Sequence, residues 1–143
     1  MKISFSKYHG SGNDFILIDN RRKVVSENHE LINQLCDRHR GIGADGLMLL
    51  YNHTELDFSM KYFNADGREG TMCGNGGRCI AFFAFKLGIS GKNTAFSSID
   101  GVHNAEIKAV DTNKAQVVID LNNVAEIHKQ KGGYSLNTGS PHF

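Results

Sequence analysis

The chain has no surplus of charge. Sixteen Lys and Arg stand against fifteen Asp and Glu, a formal net charge of +1. That leaves no basic footprint for nucleic acid or for an anionic membrane surface. Long apolar runs are missing too, and none approaches the roughly 20 residues a bilayer-crossing helix needs. Cysteine is scarce. Three residues, Cys36, Cys73 and Cys79, are an odd number at irregular spacing, which argues against a disulfide framework and for a reducing compartment. There is one proline, Pro141, with no low-complexity stretch and no internal repeat. No secretory leader opens the chain, because Ile3, Phe5 and Tyr8 are interspersed with polar residues from the start, as in a strand. Cytoplasm is the expected location. What remains is ordinary: 143 residues, 40% hydrophobic and 22% charged, a soluble globular composition with room for one domain and a fraction.

Periodicity predicts an α+β chain. Residues 2–9 read as a strand, 10–14 as a turn or open loop, and Phe15–Asp19 as a second strand. Ser26 or Asn28 caps a helix running to about His39, with Leu31, Ile32, Leu35 and Cys36 on one face. Leu47–Tyr51 and Leu56–Phe63 form a hairpin, and Leu56, Phe58, Met60 and Tyr62 share a face of its second strand. A second helix spans Asn75–Leu87 with Ile80, Phe83, Ala84 and Leu87 as its stripe. Beyond it come strands Thr94–Ile99, Val102–Ala109 and Ala115–Leu121, the first two joined by a type I′ turn at Asp100-Gly101.

Two glycine strings invite nucleotide readings. Gly41-Ile42-Gly43-Ala44-Asp45-Gly46 fits the dinucleotide-binding G-x-G-x-x-G pattern. That fingerprint needs a strand before it and a helix after it. Here the order is reversed, so the string reads as a helix-to-strand turn. Cys73-Gly74-Asn75-Gly76-Gly77-Arg78 is not a P-loop, since no Gly-Lys-Ser/Thr follows.

The second string carries the chemistry. Cys73 stands where an extended segment becomes a helix, and three of the next four residues are glycines. Bare amides at a helix N-terminus favour negative charge. A thiol placed there ionises below the ordinary ~8.5, and the thiolate is the reactive form. The same amides suit a carboxylate, so one loop offers a base and an anion cradle. A metal site is the weaker reading: Cys36 and His39 make a single tight pair where structural zinc sites show two. Cys36 and Cys79 read as small buried hydrophobes. The histidines at 9, 29, 39, 53, 103 and 128 read as surface or internally satisfied side chains.

Five strings together resemble the N-terminal half of diaminopimelate epimerase. They are His9–Phe15, Arg38–Gly46, Phe63–Gly67, Cys73–Cys79 and Asn137–His142, in the family's order and spacing. Related proline racemases and phenazine-biosynthesis isomerases usually place His where this chain has Asn75. The resemblance implies two similar lobes, each a curved mixed β-sheet wrapped around a central helix, with the site between them. It also implies a cofactor-free, metal-free isomerase that interconverts LL- and meso-diaminopimelate in lysine biosynthesis, using one cysteine from each lobe as acid and base. Carried over residue by residue, Cys73 matches the first catalytic cysteine. Gly74 and Asn75 match the α-carboxylate loop, Asn13 and Asn64 match contacts to the distal end of the substrate, and His142 matches a histidine beside the site. Without the resemblance, Asn13 and Asn64 would read as turn residues.

The sequence departs from the family in four respects. The second catalytic cysteine loop and a distal-site Glu-Arg pair have no counterpart here. Gly46 and Ser140 stand where many members have Gln and Asn. The expectation is one lobe at residues 1–121, the start of a second at 122–143, and no epimerisation by this polypeptide alone. The expected partners are diaminopimelate, the missing C-terminal lobe and, as an open alternative, a second copy in a homodimer. The competing readings are a non-catalytic carboxylate-binding module of the same fold and, far behind, a thiol redox or metal protein using Cys73 and Cys79.

Overall fold

The computed structural model describes residues 2–121, 123, 124, 126–137, 141 and 142, the last two and residues 136 and 137 through their backbone. The chain opens with a hairpin. β1 (Ser6–Gly10) runs antiparallel to β2 (Asn13–Asp19), with Gly10 opposite Asn13. Both turn residues, Ser11 and Gly12, have positive φ, as a two-residue type I′ turn requires. Of the two expectations for 10–14, a turn or an open loop, the turn is the one found, and it is tight enough that Asn13 already begins a strand. Residues 2–5 lie outside the ladder, because β1 meets β2 only from Leu17 back to Asn13.

β2 is buried on both faces. Phe15, Ile16, Leu17 and Ile18 have no exposed surface, the near-continuous apolar run of an inner strand. Phe15 and Leu17 join one core cluster while Ile16 and Ile18 join another. The second cluster is covered by α1 (His29–Cys36), which contributes Ile32 and Cys36. Asn28, one of the two expected caps, accepts from the Leu31 amide at 3.0 Å. The helix stops three residues earlier than its periodicity suggests. Asp37 adopts an extended conformation, and its carboxylate takes the His39 and Arg40 amides, both at 2.8 Å, a side-chain alternative to helical bonding.

β3 (Gly46–Tyr51) then runs parallel to β2, and β4 (Phe58–Asn64) runs antiparallel to β3 as expected. A two-residue β5 (Glu69–Gly70) pairs with the end of β4. The central helix follows. α2 (Gly74–Lys86) buries Gly76, Gly77 and every residue from Cys79 to Ala84, so it is apolar nearly all round, the mark of a core helix. Leu87, expected on its stripe, is its C-cap and is 40% exposed.

β6 (Asn93–Ser98) pairs in parallel with β4, and Phe58 and Phe96 stack at 4.8 Å between ring centroids. β7 (Gly101–Val110) and β8 (Ala115–Ile119) complete the order β1-β2-β3-β4-β6-β7-β8, with β5 beside β4. The β6–β7 turn is made by Ile99 and Asp100, one residue earlier than expected, because Ser98 pairs with Gly101. The result is an α+β lobe in which a curled mixed sheet wraps α2, with α2 packed on β1, β2, β7 and β8. Farther along, β9 (Ile127–Gln130), β10 (Gly133–Asn137) and β11 (Pro141–His142) form a separate three-stranded antiparallel sheet.

Candidate active site

The N-terminus of α2 emerges from the core at Cys73. This residue is extended (φ −92°, ψ 167°) and is the helix N-cap, its Sγ accepting from the Gly76 amide at 3.4 Å. Ser, Thr, Asp and Asn usually hold that position; a thiol here places sulfur directly over the positive end of the helix. Gly74 and Asn75 carry the first two amides, which no helical carbonyl can satisfy.

Asn13 arrives from the β1–β2 hairpin, which crosses α2 so closely that a Cβ on Gly10 would meet Asn75 Cβ at 3.2 Å. Cys73 Sγ donates to Asn13 Oδ1 at 3.5 Å, and Asn75 Nδ2 donates to the same oxygen at 3.4 Å. Arg78 donates to the Asn75 side-chain oxygen. The structure thus brings Cys73, Gly74, Asn75 and Asn13 together.

Four charged residues that sequence reasoning gave no role hold this group. Asn13 Nδ2 donates to Asp45 Oδ2 at 2.7 Å. An ionised carboxylate is acceptor-only, so this bond turns the amide oxygen of Asn13 toward Cys73. Arg38 bridges Asp45 at 3.0 Å and clasps both oxygens of Asp14 at 2.8 and 3.1 Å. Lys7 adds a bond to Asp14 at 2.8 Å. The bidentate arginine holds the Asp14 carboxyl well below the usual carboxylate range, with Lys7 and the Asp45 amide assisting. Residues 14, 38 and 45 converge because the chain leaves β2, forms α1 and returns beside β2 as β3. Nothing in their sequence spacing announces this.

The depressed Asp14 pKa gives a sign to acid stability. A carboxyl whose folded pKa lies below its unfolded value of ~3.9 contributes stability that is complete above that value. The contribution is lost as pH falls through the folded value. Arg38→Gln removes the largest cause, so its acid-unfolding midpoint, followed by circular dichroism, is expected at higher pH than that of the parent chain. An unchanged midpoint would show that the clasp is too well solvated to matter, since Arg38 is 55% exposed.

Asn64 ends β4 opposite Gly46 and is exposed. Its side chain lies over Gly70, where a Cβ would meet Nδ2 at 2.6 Å. It makes no hydrogen bond to Cys73, so the structure does not bring it into the bonded group around the thiol. Gly46 faces Tyr62, whose phenol is pushed up to about 12 by burial first and then by Cys73 and Asp45. Tyr62 is a further residue without an expected role; the alternation of β4 placed it on one face with Phe58 and Met60. The side chain of His142 and residue Ser140 lie outside the described residues.

The other two thiols are unlike Cys73. Cys36 and Cys79 are 3% and 5% exposed, and burial pushes them up to about 11 and about 12. Among the described residues, no three His, Cys, Asp or Glu side chains converge as a metal site. The buried His103 is satisfied internally by Asp100 at 2.8 Å and the Asp120 carbonyl at 3.3 Å. A groove of about 620 Å³ runs between β1 and β8 over α2, but its lining excludes Cys73, Asn13 and Asn64. Cys73 lies instead at the N-terminus of α2, half-buried.

The family model for diaminopimelate epimerase matches residues 5–133. The chain belongs to the diaminopimelate epimerase family. A diaminopimelate epimerase of Flavobacterium psychrophilum is 50% identical over 137 residues, covering 95% of this chain and 52% of that protein. One from Chlorobaculum tepidum is 42% identical, covering 93% and 53%. The chain therefore spans about half the length of these relatives. Among solved structures, a probable proline racemase from Agrobacterium radiobacter K84 superposes with a TM-score of 0.64 at 15% identity, covering 94% of this chain and 48% of that one. A hydroxyproline epimerase from Agrobacterium vitis gives 0.62 at 12% identity, covering 92% and 46%. These two show a shared fold. No described helix of this family member is long and apolar enough to cross a membrane.

Proposed function

We propose that this chain is the first-thiol lobe of a cofactor-independent epimerase that interconverts LL- and meso-diaminopimelate, a step of lysine biosynthesis in a reducing cytoplasm. The observation that carries the reading is Cys73 at the N-cap of α2, with sulfur and free amides on one open face.

The chemistry follows from what the reaction demands. An amino-acid α-proton is very weakly acidic, so its removal needs charge stabilisation built into the site. The Gly74 and Asn75 amides hold the α-carboxylate, preorganised where negative charge develops. The Cys73 thiolate takes the α-proton: the C–H bond breaks, an S–H bond forms, and the electron pair spreads into the carboxylate. Inversion is completed when an acid on the opposite face returns a proton to the α-carbon. That acid is the cysteine of the second lobe, which residues 122–143 begin and which lies outside residues 1–121. Asn13 and Asn64 contact the remote end of the substrate.

The test is a chimera in which this chain replaces the corresponding half of the Flavobacterium psychrophilum relative. It is expected to form meso-diaminopimelate from the LL isomer, measured by chiral chromatography. Cys73→Ala should lower turnover by about 10²–10⁴-fold, the usual weight of one acid–base group. A folded chimera that binds diaminopimelate without turnover would favour the non-catalytic binding module.

A further inference from the structure

Gly46 and Tyr62 form a matched pair. They lie on adjacent antiparallel strands, Gly46 opposite Asn64 and Tyr62 opposite Met48. A Cβ on Gly46 would come within 2.5 Å of Tyr62 Cε2 and 2.7 Å of the phenol oxygen, far inside van der Waals contact. The phenol thus occupies the volume that any side chain at position 46 would need. Its ring is held edge-on against Phe15 at 6.0 Å between centroids. Phe15 reaches on to the first turn of α2, its Cζ 3.6 Å from the site of a Cβ on Gly76. The ring is anchored in the core while its tip points to the site margin.

The tip is chemically available. Among the described residues the Tyr62 hydroxyl has no hydrogen-bond partner, and Ser90 alone carries a sealed, unpaired side-chain polar atom. The Tyr62 oxygen is thus not among the sealed, unpaired atoms of the described residues. With its pKa raised to about 12, it stays protonated near neutral pH and can both donate and accept.

We propose that Tyr62 is a substrate-contacting residue, its hydroxyl, which fills the volume over Gly46, hydrogen-bonding the second amino-acid head of the substrate in the space beyond. This rests on the functional reading above. Asn64, directly opposite Gly46, borders the same space.

The experiment uses the 143-residue chain labelled with ¹⁵N. The Gly74, Asn75 and Gly76 amide resonances are followed while meso-diaminopimelate, which has two amino-acid heads, or alanine, which has one, is added. Tyr62→Phe keeps the ring and its packing, and an unchanged amide spectrum elsewhere verifies the fold. The expected result is an affinity for diaminopimelate about fivefold to tenfold weaker, the weight of one lost hydrogen bond, with alanine unchanged within about twofold of the parent. Equal effects on both ligands, or none, overturn the role of Tyr62 while leaving the functional reading intact. Failure of both ligands to move these amides in the parent chain overturns that reading and the proposal together.

Discussion

Incubated alone with LL-diaminopimelate in heavy water, the 143-residue chain is expected to yield no meso isomer. Inversion at a carbon needs a base on one face and an acid on the other, and the described residues offer one group suited to the task. Cys36 and Cys79 sit in the two core clusters, raised to about 11 and about 12 by burial. Neither reaches the open face where Cys73 meets Asn13. Tyr62, also raised to about 12, stays protonated near neutral pH and is no base. Carboxylates near the site are committed: Asp14 and Asp45 are engaged by Arg38. A single thiol can still exchange the α-proton and return it to the same face. Any deuterium found in recovered substrate should therefore sit in the LL isomer. Appearance of meso-diaminopimelate above the rate without protein would sink the idea of a one-faced site.

The order of strands and helices could be read from the sequence because each depends on local signals. Asn28 supplies a cap oxygen, β4 alternates, and the glycines after Cys73 mark the start of α2. Boundaries failed where a side chain outcompeted the periodic pattern. Asp37 ended α1 by capturing the His39 and Arg40 amides. Pairing of Ser98 with Gly101 moved the β6–β7 turn off the Asp-Gly dipeptide that normally marks it. The candidate site loop was equally readable, since Cys73, Gly74 and Asn75 are consecutive. Its support was not. Asp45 orients Asn13, 32 residues away, and Arg38 reaches Asp14 across 24. These contacts exist only because β3 returns beside β2. Tyr62 was hidden for a different reason: the period of two assigns a side chain to a face but not its tip, and its tip extends to the space beside Gly46.

Alkylation by iodoacetamide at pH 8 is expected to be confined to Cys73, with Cys36 and Cys79 at least ~100-fold slower in the folded chain. Two effects act in the same direction. Only thiolate reacts, and a thiol raised to about 11 or about 12 is ionised at that pH to roughly one part in 10³ or 10⁴. Access compounds this, since Cys36 and Cys79 are 3% and 5% exposed while Cys73 is only half-buried at a helix start. Mass mapping of the labelled peptides identifies the site, and labelling in denaturant, where all three should react alike, gives the reference. Cys73→Ser is expected to remove the fast phase entirely; Cys36→Ala and Cys79→Ala should preserve it. The same experiment discriminates among chemistries. A redox pair of Cys73 and Cys79 would need both sulfurs to ionise and meet, so comparable rates at the two positions would support that reading and overturn this one. A single fast thiol at the start of α2 is what one-face proton transfer requires.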